Sequence, residues 1–361
     1  MFPYLAMLAV PSSLALTGAR RAGFMLLAVG LLYWLMIGFR FHVGMDWNNY
    51  LFIYEWEKHE SFTTRLFGRE PGYGLLSWVA ANIGGGIIFI NAVAGLVFCW
   101  GFFGVARRCP EPWLAIAIAT PLLAVVFGMS GARQSIACGV IFHLFANWER
   151  RNSLARIGLV LLASMFHFSA VFVLGFVALA SNAPSIVKVA TTVVMVLIVF
   201  VVIRFAPQSM EAYSRLYVGM QSKLSAPGAV VQVGAIAAAG AAYLLYRRHW
   251  ESVFGDQPLV RWLAWGSVAC VPAILISSVG SYRFALYFWP MAMYVYSGFP
   301  SLIRAATGRA FYRFTLVSAA FAMLIAWLMF ANNSLPWLPY DNWWLQPDGA
   351  NLISFRNYRR I

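Results

Sequence analysis

Charge is scarce along this chain, and acid is scarcer than base. Of 361 residues only 11% are Asp, Glu, Lys or Arg, and twelve acids stand against 26 bases. Soluble domains carry roughly 25% charged residues, which excludes a water-solvated surface around an ordinary core. The four cysteines (Cys99, Cys109, Cys138 and Cys270) stand apart with no CxxC pairing. They give no disulfide framework and read as packing residues. Five histidines (His42, His59, His143, His167 and His249) lack H-x-x-x-H spacing, so a protein-built zinc site is not expected. Net charge is +14, yet no basic stripe or nucleic-acid motif accompanies it, and no nucleic-acid partner is expected. The bases fall instead in short clusters, as topogenic residues and contacts to anionic lipid do.

What the chain has in abundance is apolar length. Hydrophobic residues make up 61%, and stretches such as Trp113–Ser130 and Val189–Ile203 carry no charge. A membrane-crossing helix needs about 20 such residues. The expected fold class is all-α: a polytopic helical membrane protein with about 11–13 hydrophobic helices, some short and broken, in one integral membrane domain over 1–361. The first 17 residues have no basic n-region and no A-x-A site, and read as a first span rather than a removed signal peptide.

Placing the basic turns on the cytoplasmic side fixes the parity of crossings. These turns are Arg20-Arg21, Arg107-Arg108, Arg150-Arg151 with Arg156, Arg247-Arg248, and Arg304/Arg309/Arg313. Spans near 2–17 and 23–41 then put loop 42–70 outside. Two spans near 112–129 and 133–148 put the turn Ser130-Gly131-Ala132-Arg133-Gln134 outside as well. Residues 71–106 must cross an odd number of times, so 71–84, ending at Gly84-Gly85-Gly86, reads as a half-helix before one true span. Segments 186–204 and 228–246 cross once each, so 155–181 must form two short helices meeting near Phe166-His167-Phe168. Spans at 259–279, 284–300 and 314–331 complete the count. Loop 205–227, the turn Ser281-Tyr282-Arg283 and the tail 332–361 then lie outside, although Arg356, Arg359 and Arg360 in that tail run against the rule.

Within this frame one charge stands out. Arg133 is the only formal charge between Trp113 and Trp148, a run of 36 residues. Even lenient insertion scales charge about 2.5–3.5 kcal/mol for arginine at a helix centre. Taken singly, the polar residues have plain readings. Asp46 is a solvated loop acid, Arg133 snorkels to the interface, His167 bonds a carbonyl freed by a helix break, and Arg283 anchors at the interface. Parity brings all four to one face. Two arginines and a histidine there suit a phosphate or diphosphate, which the guanidinium fork binds bidentately. Asp46 or a neutral His167 is suited to take a proton from an attacking hydroxyl. Trp47, Tyr50 and Tyr73, with tail aromatics such as Trp337 and Trp344, can stack on sugar faces or form an interfacial belt. Arg215, in loop 205–227, belongs to a lid or a linker.

The motifs Gly44-x-Asp46-Trp47-x-x-Tyr50, Glu70-Pro71-Gly72-Tyr73, Arg133-Gln134, Phe166-His167-x-Ser169-Ala170 and Tyr282-Arg283-Phe284 resemble, in order and spacing, the EpsG family of Wzy-type polysaccharide polymerases. The resemblance runs from the first span to about residue 300. It implies a GT-C-like membrane glycosyltransferase of the bacterial inner membrane, joining repeat units carried on undecaprenyl diphosphate at the periplasmic face. Asp46, Arg133, His167 and Arg283 become the implied catalytic residues. Glu70, Tyr50, Tyr73, Gln134, Trp47, Tyr282 and Arg215 become the implied substrate contacts. The implied partners are the lipid-linked oligosaccharide, membrane lipid and a chain-length regulator protein. No cofactor is expected, and a divalent metal is left open. The loop 181–188 holds one lysine where relatives carry a basic cluster. An O-antigen ligase, a flippase of lipid-linked sugar and a membrane-bound O-acyltransferase are the alternatives.

Overall fold

A computed structural model describes residues 1–19, 23–66, 70–181, 184–186, 188–193, 196–197, 227–347 and 349–354. Among them every named element is helical, and the only β-type pairing is a single bridge between Arg40 and Asn342. The all-α expectation therefore holds. Gly86–Ala106, Gly228–Leu245 and Ala306–Phe330 are each long and apolar enough to cross a membrane. Shorter apolar helices accompany them, including α1 (Phe2–Leu16) and α2 (Gly23–Gly38).

Within segment 42–70, expected as a loop, two helices are present. They are α3 (Trp47–Glu57) and α4 (Phe62–Leu66). Next, α5 (Pro71–Asn82) stops before the Gly84-Gly85-Gly86 turn, and α6 (Gly86–Ala106) follows, the expected half-helix and full span. Pro71 opens α5 at a position where its missing N–H is not needed. The next span begins as α7 (Pro112–Ala119) and widens into π-type turns over Thr120–Phe127. Pro121 has no N–H for the regular ladder, and the Gly128 N–H bonds Leu123 five residues back.

The densest packing lies between α6 and α8 (Ala132–Ala146), which run parallel: Trp100 stacks on His143, and Arg108 bonds Asn147. Two glycines make this approach possible. A side chain on Gly101 would overlap the Gly139 carbonyl, and one on Gly139 the Val97 carbonyl. The two backbones touch, as in small-residue helix pairs generally.

The stretch 155–181 folds as a hairpin. Asn152 caps α9 (Ser153–Phe166), accepting from the Ala155 N–H at 2.8 Å. His167 is extended (φ −153°, ψ 115°), and after a short 3-10 turn α10 (Val173–Ala180) returns. Ala180 ends beside Ser153 and Arg156, lining a shared hollow of about 270 Å³. His167 is therefore the apex.

Three boundaries differ from the sequence reading. The helix expected at 259–279 ends at Ala273, just after Pro272, and Tyr282-Arg283 sit in a separate short helix, Ser278–Ala285, rather than a turn. The next helix is Trp289–Gly298. The last long helix starts at Ala306, not 314, so Arg309 and Arg313 lie inside it. Arg313 is accommodated because Glu111 takes its fork at 2.8 and 2.6 Å. Span 186–204 and loop 205–227 fall largely or wholly outside the described residues.

Contacts sort the turns into two ends. Gly18 lies against Arg313, Arg313 holds Glu111, Arg108 reaches Asn147, and Phe299 contacts Trp250 and Tyr312. The described residues beside every basic turn thus gather at one end. At the other end the tail folds back over the start of α3. Trp343 N–H bonds Phe39, Phe41 N–H bonds Asp341, and Gly44 N–H bonds Pro336. Asn48 exchanges two bonds with the Ser354 backbone at 2.6 and 2.8 Å.

Candidate active site

At the end opposite the basic turns, three elements meet. Arg133 lies in the first turn of α8, Glu70 stands immediately before α5, and His167 is the hairpin apex. Glu70 bridges the other two: Arg133 Nη1 reaches its Oε2 at 2.7 Å, and His167 Nδ1 its Oε1 at 2.9 Å. Side-chain exposure is 3% for Glu70, 6% for His167 and 26% for Arg133. The arginine is therefore the member of the trio that solvent reaches.

Burial alone would raise the Glu70 pKa, but the hydrogen bond and charge of His167 and of Arg133 outweigh it and hold the carboxyl at about 2. Glu70 is thus an anion at any physiological pH. A carboxylate facing Nδ1 fixes the imidazole orientation and, with the proton on Nδ1, leaves Nε2 as the free basic nitrogen when the ring is neutral.

Arg133 is shaped on its other side by aromatic faces. Its guanidinium carbon lies 5.4 Å from the Tyr50 ring centre and 5.7 Å from that of Tyr73, within cation–π range. Its backbone N–H donates to the Tyr50 hydroxyl at 3.4 Å. Tyr50 and Tyr73, both expected as substrate contacts, thus flank the arginine.

Gln134 donates to the Arg283 carbonyl at 2.7 Å, which ties α8 to the helix Ser278–Ala285. Ser169 and Tyr287 share a hydrogen bond of 2.9 Å nearby. Arg283 and Arg133 both lie within electrostatic reach of the His167 ring. Asp46 takes a hydrogen bond from Ser130 at 3.0 Å, which places it beside the turn that leads into Arg133. Gly44, with φ +106° and backed against the Met129 carbonyl, lets the chain come that close. Asp46 also lies within electrostatic reach of Tyr282.

Trp47 is buried against Phe41 and His42, and its N–H is held by the Leu352 carbonyl at 2.8 Å, so tail docking already occupies this ring. Arg215 lies outside the described residues. Among the tail aromatics, Trp337 is buried with its N–H on Val125, whereas Trp344 is exposed.

Sequence reasoning passed over Arg40. It is buried, with Nη1 on the Ile37 carbonyl at 2.6 Å and Nη2 on Asn91 at 2.8 Å. At the end of an apolar span such an arginine looks like a snorkelling anchor, and nothing local signals otherwise. Among the described residues no group of three or more His, Cys, Asp or Glu side chains is arranged to hold a metal. A hollow of about 680 Å³ lined by Tyr246, Arg247, Arg248, His249 and Glu251 lies at the basic end, away from this trio.

The EpsG family model matches residues 23–342. The chain belongs to the EpsG family. That span contains Asp46, Glu70, Arg133, His167 and Arg283, and stops before the tail residues that clasp Trp47 and Asn48. No curated protein and no solved structure matches. EpsG is a Wzy-type polymerase-like family, so membership supports a general role in polysaccharide biosynthesis, of the polymerase or glycosyltransferase type.

Proposed function

We propose that this EpsG-family protein polymerises polyprenyl-diphosphate-linked oligosaccharide repeats at the outer face of the inner membrane. The observation that carries this reading is the Arg133–Glu70–His167 trio beside Arg283, at the end opposite the basic turns. The positive-inside rule puts those turns in the cytoplasm, and hence the trio outside.

In the reaction, an acceptor sugar hydroxyl attacks the anomeric carbon of the donor. The bond from that carbon to the diphosphate oxygen breaks, and the polyprenyl diphosphate departs with the electron pair. Arg133 and Arg283 stabilise the charge that grows on the leaving oxygens. Glu70 takes Nη1 of Arg133, and the part of the guanidinium that solvent reaches is left to the phosphate. His167, oriented by Glu70, takes the hydroxyl proton on Nε2. Asp46 is the positioning acid. The sequence leaves both Asp46 and His167 open as the base; the Glu70–His167 contact supports the histidine in that role.

The test is lipid analysis of a deletion strain carrying Arg133→Ala. Single repeats on the carrier with no long glycan are expected. Normal chain-length ladders refute the assignment. Polymer left on the carrier indicates a ligase, and precursors confined to the cytoplasmic leaflet indicate a flippase.

A further inference from the structure

Arg133, His167 and Arg283 come from three separate segments, and one phenol hydroxyl links those segments. Tyr287 stands in the short 3-10 turn Leu286–Phe288 that continues the helix Ser278–Ala285, and it is fully buried. Its hydroxyl shares a hydrogen bond of 2.9 Å with Ser169, two residues past His167 at the hairpin apex. The Gln134 side chain lies within hydrogen-bonding reach of the same hydroxyl. Gln134 also donates to the Arg283 carbonyl at 2.7 Å. Arg283 and Tyr287 are four residues apart on one helical run, the spacing at which side chains become neighbours.

Each member of this chain of bonds adjoins a charge. Gln134 follows Arg133 at the start of α8, Ser169 stands by His167, and the bonded carbonyl is that of Arg283 itself. Those charges need holding. Both arginines lie within electrostatic reach of the His167 ring, and cations gathered so closely repel one another until an anion arrives. Glu70 holds Arg133 and His167 together. The Gln134 amide and the Tyr287 hydroxyl hold the Arg283 segment to both. A hydroxyl suits this post because it donates and accepts at once, whereas the Arg283 carbonyl only accepts. Phenylalanine at 287 would fill the same space and lose both links.

We propose that Tyr287 is a positioning residue for glycosyl transfer. Its hydroxyl sets the spacing between Arg283 and the Arg133–His167 pair, so that both arginines close on one diphosphate. Tyr287 acts through Arg283 and not on the sugar. The leverage is large, because a misplacement of about 1 Å costs on the order of 100-fold in rate. This rests on the glycosyl-transfer reading and extends it to what keeps the two arginines in register.

The test uses the full-length protein in nanodiscs, with two readouts: affinity for inorganic diphosphate, and glycan extension from lipid-linked repeats. Tyr287→Phe keeps the ring and removes one oxygen. It should melt within a few degrees of wild type, bind diphosphate about threefold or more weakly, and extend glycan about tenfold or more slowly. Arg283→Ala should weaken diphosphate binding by about tenfold or more. Adding Tyr287→Phe to Arg283→Ala should change that binding by less than about twofold, since no arginine is left to position. A merely structural tyrosine gives the same loss in both backgrounds. That result overturns the proposal, as does wild-type diphosphate binding by Tyr287→Phe. If Tyr287→Phe does not accumulate as folded protein, Ser169→Ala carries the prediction: binding about twofold or more weaker than wild type, and no further loss in Arg283→Ala. Coupled loss of diphosphate binding, in a wild-type protein that extends no glycan, upholds the spacing role and overturns the transferase reading, so the two failures are separable.

Discussion

Replacing Glu70 by Gln removes one charge while keeping the shape of the side chain. Holding the carboxyl at about 2 rather than at its ordinary 4.5 corresponds to about 3 kcal/mol of folding stability, at about 1.4 kcal/mol per unit of pKa. Because the folded-state pKa is depressed, that contribution is fully present above pH 4.5 and is lost as pH falls toward 2. The carboxylate is almost fully buried and its partners are direct, so little is lost to solvent screening. The assay is intrinsic-fluorescence melting of detergent-solubilised protein as a function of pH. Glu70→Gln should melt several degrees below wild type at pH 7, and the gap should close as pH drops through that window. Polymer formation should fall at least ~100-fold, because both the arginine and the histidine lose their orientation. A Gln variant that melts with wild type at pH 7 and still makes long glycan refutes the reasoning.

Three further outcomes follow from packing and clasping. Gly101→Val should prevent accumulation of folded protein, because the overlap is with the Gly139 backbone and no rotamer relieves it; size-exclusion profiles and a destabilisation of about 2–4 kcal/mol report it. Asn48→Ala breaks both bonds to Ser354 and should free the tail, at about 1–3 kcal/mol, read as faster amide exchange over 349–354. Arg313→Leu leaves Glu111 buried and unpaired, and should cost about 3–5 kcal/mol in stability with turnover per folded molecule unchanged, since the pair lies at the basic end.

Much of the fold was legible because a membrane chain must cross an integral number of times. Parity alone produced the half-helix at α5 and the hairpin with His167 at its apex, neither of which has a strong local signal. The lone charge of Arg133 in an apolar run marked the site. Its geometry was not legible. Glu70 joins residues from two distant segments, and only tertiary structure shows that Arg133 is already half engaged. Aromatic residues misled for a related reason: Trp47 carries the same composition signal whether its ring faces a sugar or the Leu352 carbonyl. The burial of Arg65 was not legible because a charge in a segment read as an external loop carries no burial signal; it shows only once that segment is seen to hold α3 and α4. Boundaries slipped where a pairing hid a charge, as Glu111 hides Arg313.

The most direct test is turnover by the purified protein reconstituted with lipid-linked repeats. The account predicts doubled and longer glycans on the carrier, with one polyprenyl diphosphate released per new glycosidic bond. Both products should vanish in Arg133→Ala and fall steeply in Glu70→Gln. Glycan extension without release of polyprenyl diphosphate, or release unaffected by Arg133→Ala, contradicts it.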